Sequence, residues 1–231
     1  MSLINERLSS NTYNDLPDVD AVAHLIQEQR LHEKLSALVG PVFRAHRFEH
    51  EWGMSLVHRH WRIKPGEIPA ERRAGPGNKE YHTTPETLGP SGFTPTVLVS
   101  NNGCWQALEF SAEVEPRASY ANLEGSPKFL AAVAEILENS GLAAAFALRS
   151  MTRDPSPGHV FVEFTDTSRR SIVKEVSEIS ADKMNILETT WSFAAEGTTS
   201  FCVRRCRTGP WITTGAAEVS SHRKVHVDQG D

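Results

Sequence analysis

The sequence predicts an α+β fold with a curved, mainly antiparallel sheet, barrel- or sandwich-like, and two or three packed helices. About eight short runs alternate apolar and polar residues with the period of a β-strand, whereas few runs have a helical period. Most connections between these runs are too short for the crossovers that parallel strands need. With 231 residues the chain is long enough to bury a sizeable core.

Composition shifts along the chain predict one domain with two flanking segments. Residues 1–17 are polar and read as an N-terminal arm, residues 18–208 as a single α+β domain, and residues 209–231 as a C-terminal tail. Inside the domain, residues 68–95 carry repeated prolines and glycines and few apolar residues, which predicts an irregular loop. Composition does not distinguish a lid over a binding site from a flexible connection.

The first elements predicted are two helices and a strand. Asp18 or Asp20 can cap a helix that runs to about Val39, where Gly40-Pro41 is expected to stop it. A short second helix is expected between residues 42 and 52, and a strand over residues 54–63.

The clearest local signals lie in the middle of the chain. Asn101-Asn102-Gly103 stands between two strand-like runs and predicts a tight hairpin. Ser126-Pro127 predicts the start of a helix that ends near Asn139. The remainder reads as β-rich, with candidate strands at residues 142–150, 159–165, 170–176, 185–194 and 198–206.

His58 and His60 are the leading candidates for a functional site. In a strand over residues 54–63 they share a face with Met54 and Leu56, and that apolar company predicts that both imidazoles point inward. Neighbours on one strand face are about 7 Å apart, so both rings could reach one metal ion or one substrate. The alternative is that both are core histidines whose hydrogen bonds are satisfied internally.

Carboxylates and a further histidine are candidate third groups. Glu109 is placed on one strand face with Trp105 and Ala107, which predicts partial burial and a possible acid or base role. Glu163 and His159 lie on the strand over residues 159–165. No Gly-rich phosphate loop, nucleophile elbow or HExxH motif occurs, which favours metal-assisted or acid/base chemistry over hydrolysis by a nucleophile.

The C-terminus has the spacing of a two-cysteine, two-histidine zinc site, Cys202-x3-Cys206-x15-His222-x3-His226. A strand over residues 198–206 argues against it, because cysteines four apart in an extended strand are about 13 Å apart. A solvated basic tail is the alternative, and Arg204-Arg205 is expected to lie on a solvated strand face.

Charge and hydropathy bear on partners and location. The formal charge of −5 gives no basic footprint, so nucleic acid is an unlikely partner. The longest apolar run, Leu142 to Leu148, is far shorter than the roughly 20 residues of a membrane-spanning helix. Without a secretory signal pattern or a disulfide framework, a cytoplasmic location is expected. Oligomeric state cannot be read from the sequence.

Two resemblances to known families attach to the histidine segment. His58-x-His60, followed by Pro65-Gly66-Glu67, resembles the first metal-binding motif of cupins, which implies a divalent metal. The spacing departs from that motif at two points. Gly53 is one residue too close to His58, and Glu67 is farther from His60 than the motif places its carboxylate. Val57-His58-Arg59-His60-Trp61, with Ala-Leu-Glu-Phe, Thr-Thr-Trp-Ser-Phe and a closing Cys-x3-Cys, resembles a group of uncharacterised proteins from filamentous fungi, which often show Leu-His-Arg-His-Phe. That resemblance implies a shared fold and no activity.

These observations predict a small-molecule enzyme or binding protein with a pocket lined by His58 and His60 inside a curved sheet. A metal-assisted or acid/base conversion of the isomerase or cyclase type fits best. The alternative is a non-catalytic interaction protein with a zinc-binding or basic C-terminal tail.

Overall fold

The computed structural model describes residues 3–5, 7–19, 21–22, 31–75, 79–87, 92–151, 155–166, 168–178, 186–194 and 201–207. Within these ranges the chain forms eleven strands and four helices, which confirms the α+β prediction. In chain order the elements are β1 (Ile4–Asn5), α1 (Ser10–Asn14), α2 (Leu31–His46), β2 (Trp52–Leu56), β3 (Glu67–Arg73), β4 (Glu80–Thr87), β5 (Thr94–Asn101), β6 (Cys104–Ser111), α3 (Pro116–Glu124), α4 (Pro127–Asn139), β7 (Phe146–Ser150), β8 (His159–Asp166), β9 (Arg170–Ser177), β10 (Ile186–Ser192) and β11 (Phe201–Arg207).

Strands β2 to β11 close into a barrel. They follow the order β6-β3-β4-β9-β8-β11-β10-β2-β7-β5, and β5 pairs back onto β6. The neighbours are antiparallel except β3–β6 and β8–β11, which are parallel. The short β1 adds a parallel pairing to β6, with Ile4 opposite Trp105. The expected curved, mainly antiparallel sheet is therefore a closed one.

The main apolar core lies between the barrel wall and the helices. Phe43 of α2 and Phe129 of α4 meet edge to face, with ring centroids 5.0 Å apart. The strands contribute residues such as Met54, Leu98 and Leu148 to the same core. Because successive side chains of a strand alternate, the neighbours of these residues point to the opposite face, which in a closed barrel is the lumen.

The lumen is partly filled by the N-terminal arm and by the chain after β2. Leu8 and Tyr13 of the arm pack with Val57, Trp61 and neighbouring apolar residues of the wall. Backbone hydrogen bonds fix these segments, since Leu8 N–H donates to Ala107 O. The arm is thus part of the folded barrel.

The predicted helix stop at Gly40-Pro41 is wrong. Asp18 acts as the expected cap, because its Oδ1 accepts a hydrogen bond from Ala21 N–H at 2.9 Å. Helix α2, which begins at Leu31, runs through Gly40-Pro41 to His46. An internal proline costs about 3 kcal/mol. The burial of Val39 and Phe43 on either side offsets that cost.

The predicted irregular loop at residues 68–95 is wrong, because this segment contains nearly all of β3, all of β4 and the start of β5. Pro69 of β3 and Pro85 of β4 are directly opposite each other. Their missing N–H groups are tolerated because neither proline pairs with the strand on its other side. Strand β6 pairs with β3 at Ala70 and Glu71, and β9 pairs with β4 at residues 80–83.

Other local predictions are confirmed. The hairpin after Asn101 turns through Asn102 and Gly103, whose φ angles of 51° and 74° fit the tight turn that Asn-Gly favours. The helix after Ser126 spans Pro127–Asn139. Helix α3, which begins at Pro116, was not expected. Among the described residues, no helix is both long and apolar enough to cross a membrane.

Candidate functional site

The two histidines do not lie on a strand. Strand β2 ends at Leu56, and residues 57–63 have no regular secondary structure, so the predicted strand over residues 54–63 is wrong beyond its first half. Met54 and Leu56 face the helices and do not share a face with the imidazoles. The chain leaves the sheet after Leu56, and Arg59 N–H donates a hydrogen bond to Pro17 O, which belongs to no strand. This path nevertheless buries His58 and His60 together, with ring centroids 4.8 Å apart.

His60 connects two distant walls of the barrel. Its Nε2 is 3.1 Å from Oε1 of Glu109 on β6 and 3.4 Å from Oε1 of Glu163 on β8. Burial alone would lower the pKa of His60, but the two carboxylates outweigh it, and the pKa is raised above its ordinary value of 6.5. Protonation of His60 is therefore favoured by its surroundings.

Two arginines complete a buried network of charges. Arg149 Nη1 on β7 donates to Glu109 Oε2 at 3.2 Å. Arg204 on β11 donates through Nη1 to Glu163 Oε2 and through Nη2 to Glu71 Oε2, both at 3.3 Å. With His60 protonated, three cations face three carboxylates. A balance of this kind is what allows charges to persist away from water.

Two of the three carboxylates of this network, Glu109 and Glu163, are held ionised. Burial would raise the pKa of Glu109, but Arg149 and His60 lower it to about 2. Burial likewise opposes ionisation of Glu163, and His60 and Arg204 together hold its pKa well below the usual range. Neither carboxylate is therefore a proton donor near neutral pH.

His58 belongs to a neutral pair with Cys206. Its Nδ1 lies 3.1 Å from Leu56 O, which can only accept, so Nδ1 carries the proton and Nε2 faces Cys206 Sγ at 3.8 Å. Burial and the neighbouring His60 lower the pKa of His58 to about 4. Burial and the Glu163 carboxylate raise the pKa of the Cys206 thiol well above 9.0. The surroundings thus favour the protonated form of His60 and oppose that of His58, although the two rings touch.

A β-bulge places Glu109 in the lumen. Leu98 pairs with Ala107 but Val97 pairs with Glu109, so Leu108 is an extra residue on β6. Ala107 therefore faces the helices with Trp105, whereas Glu109 points the other way. The expectation that these three side chains share one face is wrong, because the bulge reverses the alternation.

A cavity opens into the barrel beside this network. Its enclosed volume is about 40 Å³, within a recess of about 490 Å³ that includes the open solvent at its mouth. Six of its lining residues are Glu71, Tyr81, Arg149, Phe161, Thr190 and Arg204. His58, His60, Glu109 and Glu163 do not line it and lie behind the arginines. The candidate site is thus a polar cavity whose wall is supported by the histidine cluster.

Other residues singled out in the sequence have different surroundings. His159 lies at the start of β8 with its Nδ1 near Pro157 O, away from the network. Cys202 Sγ contacts Arg204 O, while Cys206 is buried in the lumen. His222 and His226 lie outside the described residues, so the zinc-binding tail stays a prediction.

Arg149, Arg204 and Glu71 were missed as site residues. Arg204 was expected on a solvated face, but its side chain is buried in the lumen. One signal for Arg149 is in the sequence: it interrupts the apolar run Phe146-Ala-Leu148, at a position that alternation assigns to the other face.

The cluster does not fit a divalent metal ion. In the part of the chain that the structure describes, no three His, Cys, Asp or Glu side chains are arranged to hold one. Arg149 and Arg204 occupy the carboxylate oxygens that a cation would need, and their positive charges oppose it.

Comparisons of the chain with protein-family models, with curated proteins and with solved structures found no match. The resemblance to the filamentous-fungal group therefore stays a prediction.

Proposed function

We propose that the protein is a small-molecule enzyme or binding protein whose ligand enters the barrel through the cavity lined by Arg149 and Arg204. The observation that carries this proposal is the placement of two buried guanidinium groups on the wall of an opening. Small-molecule sites are usually concave pockets in which a few convergent polar groups fix the orientation of the ligand. A cytoplasmic location belongs to the same proposal.

The cost of the charges supports a ligand-binding role. Moving ionised groups out of water costs several kcal/mol for each ion, and a buried ion pair is often replaceable by apolar residues without loss of stability. A barrel that needed only a filled interior could use apolar side chains, as the cluster with Val57 and Trp61 does. Charges kept beside an opening are better explained by recognition of a polar ligand.

The arrangement favours acid/base chemistry over metal-assisted chemistry. Glu71 and Tyr81 are the titratable acidic groups among the cavity-lining residues described above, so they are the candidates for proton transfer to a bound molecule. His60 acts indirectly, because it positions Glu109, and Glu109 in turn positions the Arg149 side chain that lines the cavity. In this proposal His58 and His60 are positioning residues, and an isomerisation or cyclisation remains the best-fitting reaction.

A cavity-filling variant tests the proposal. Thr96 lines the cavity and is half-buried, so Thr96→Phe should block the opening while keeping the strand. Thr84→Phe, at a half-buried strand position that does not line the cavity, is the matched control. A library of small polar molecules is screened by thermal shift against all three proteins, and NMR follows any conversion of the compounds that bind.

We expect compounds that raise the melting temperature of the wild type and of Thr84→Phe but not of Thr96→Phe. Conversion of such a compound identifies an enzyme, and binding without conversion identifies a binding protein. Compounds that bind Thr96→Phe with the same affinity as the wild type, or the absence of any binding compound, would rule out a ligand site in this cavity.

A further inference from the structure

Thr190 lines the cavity and has a buried hydroxyl without a described hydrogen-bond partner. It lies on β10, its exposed fraction is 2%, and it lines the opening. Its Oγ1 makes no hydrogen bond to any residue that the structure describes. A buried hydroxyl without a partner is unfavourable, so its presence on a cavity wall indicates a partner that arrives from outside the chain.

Two guanidinium groups share this wall. Thr190 is the pairing partner of Arg204 on β11, so the two side chains project from neighbouring strands on the same face. Arg149 stands across β2, which contributes only Gly53 and Ser55 to this face and so leaves room between them. The side chain of Arg149 donates through Nη1 alone to the described residues, although a guanidinium carries five N–H groups.

The charges at the opening favour an anion. Arg149 and Arg204 both line the cavity, whereas Glu71 is the one carboxylate of their network that does so. Glu109 and Glu163 lie behind the arginines and hold them in place. The fixed fork of a guanidinium matches the oxygens of carboxylate and phosphate groups, and a hydroxyl donor at its side adds a further contact.

We infer that Arg149, Arg204 and Thr190 form an oxyanion subsite that takes a carboxylate or phosphate group of the ligand. Glu71 on the same wall disfavours a second anionic group and favours a hydroxyl or ammonium donor elsewhere on the molecule. The inference rests on the proposed function and specifies its ligand class: a small oxyanion that also carries a hydrogen-bond donor.

The experiment uses simple probes and one isosteric substitution. Inorganic phosphate, acetate and the neutral acetamide are titrated into the protein by NMR, with chemical shifts of backbone amides as the readout. Thr190→Val removes the hydroxyl and keeps the β-branched shape. Ser55→Ala is the matched control, because Ser55 pairs with Thr190 and also has a buried hydroxyl without a described partner but does not line the cavity.

We expect phosphate or acetate to bind near Arg149 and Arg204 and acetamide to bind far more weakly. Thr190→Val should weaken anion binding about tenfold, as expected for a lost hydrogen bond to a charged group, while Ser55→Ala should leave it unchanged. Arg149→Lys should weaken it as well, because an ammonium cannot reproduce the guanidinium fork. Melting curves of each variant confirm that the barrel is intact.

The failures of the two proposals are distinguishable. Equal anion binding by wild type and Thr190→Val, or no anion binding while neutral compounds still bind in the cavity, overturns the oxyanion subsite and leaves the small-molecule site standing. The absence of anionic and neutral binders alike overturns both.

Discussion

At the scale of single residues, His58 and His60 show how position inside a barrel decides charge. Two imidazoles in contact would ordinarily both avoid protonation, since burial penalises the charged form. His60 meets Glu109 and Glu163 and has a raised pKa, whereas the pKa of His58 is lowered to about 4 by burial and by His60. The surroundings favour the charged form of the His60 ring and the neutral form of the His58 ring.

The raised pKa of His60 predicts how stability depends on pH. A proton bound more tightly in the folded state stabilises it fully below about pH 6.5, the unfolded value, and this stabilisation is lost as the pH rises through the folded pKa. We therefore expect the free energy of unfolding, measured in urea, to fall as the pH rises above 6.5. His60→Gln should be less stable at pH 6.5 and lack this decline.

The control for this prediction is His159→Gln, which alters a histidine outside the network. It should keep the wild-type slope. A decline of equal size in His60→Gln would show that another group titrates in this range.

The sequence identified the histidine pair but only some of its partners. Two imidazoles one residue apart are visible in any listing of the chain, whereas Arg149 and Arg204 meet them only because β7 and β11 close the same barrel. Contacts between side chains across the lumen of a barrel produce no periodic pattern in the sequence of either strand. The strand predicted over residues 54–63 placed the two imidazoles close together, as they are, but for a reason that the structure contradicts.

At the scale of elements, the sequence predicted correctly the turn and the helix start that depend on the preferences of a few adjacent residues. The Asn102-Gly103 turn and the helix from Pro127 depend on backbone preferences of a few residues, and both are confirmed. Strands β3 and β4 were missed because Pro69 and Pro85 are read as breakers, and their mutual pairing is known only once the strands are aligned. Helix α2 passes Pro41 because burial on both sides outweighs the local penalty.

Gly53 provides a test of how tightly β2 is inserted between its neighbours. A Cβ at this position would lie 2.3 Å from the backbone oxygen of Trp191 on β10, so the strand pair would have to separate. We expect Gly53→Ala to lower the free energy of unfolding by about 1–3 kcal/mol or more. The comparison is Gly75→Ala, where a Cβ meets no atom within 4 Å and little change is expected. Equal stability of the two variants would contradict the tight packing of β2.

At the scale of the whole molecule, the charged network joins strands that are far apart in the barrel order. Arg204 on β11 reaches Glu71 on the distant strand β3 as well as Glu163 on the adjacent strand β8, and His60 reaches from the segment after β2 to β6 and β8. Because the contact of Arg204 with Glu71 and the contacts of His60 cross the lumen, they depend on closure of the whole barrel. The helices, in contrast, stabilise the wall from outside through a conventional apolar core.

Removal of Arg204 should therefore be costly, and the cost should depend on charge balance. Arg204→Met leaves Glu163 and Glu71 buried with one cation fewer, and breaking a buried pair in this way costs about 3–5 kcal/mol. Adding Glu71→Gln removes one negative charge, so that Arg149 and protonated His60 again match two carboxylates. The double variant should regain a large part of the lost free energy of unfolding.

Arg205→Met is the matched control, because the neighbouring arginine pairs with the half-exposed Glu188 at 3.9 Å. A pair at this distance with one exposed partner is worth about 1 kcal/mol or less, so this variant should remain closer to wild type than Arg204→Met in urea unfolding. If Arg204→Met proved as mild as Arg205→Met, the arginine would be dispensable for the closed barrel. If Glu71→Gln gave no rescue, loss of the side chain's packing, and not its charge, would explain the destabilisation.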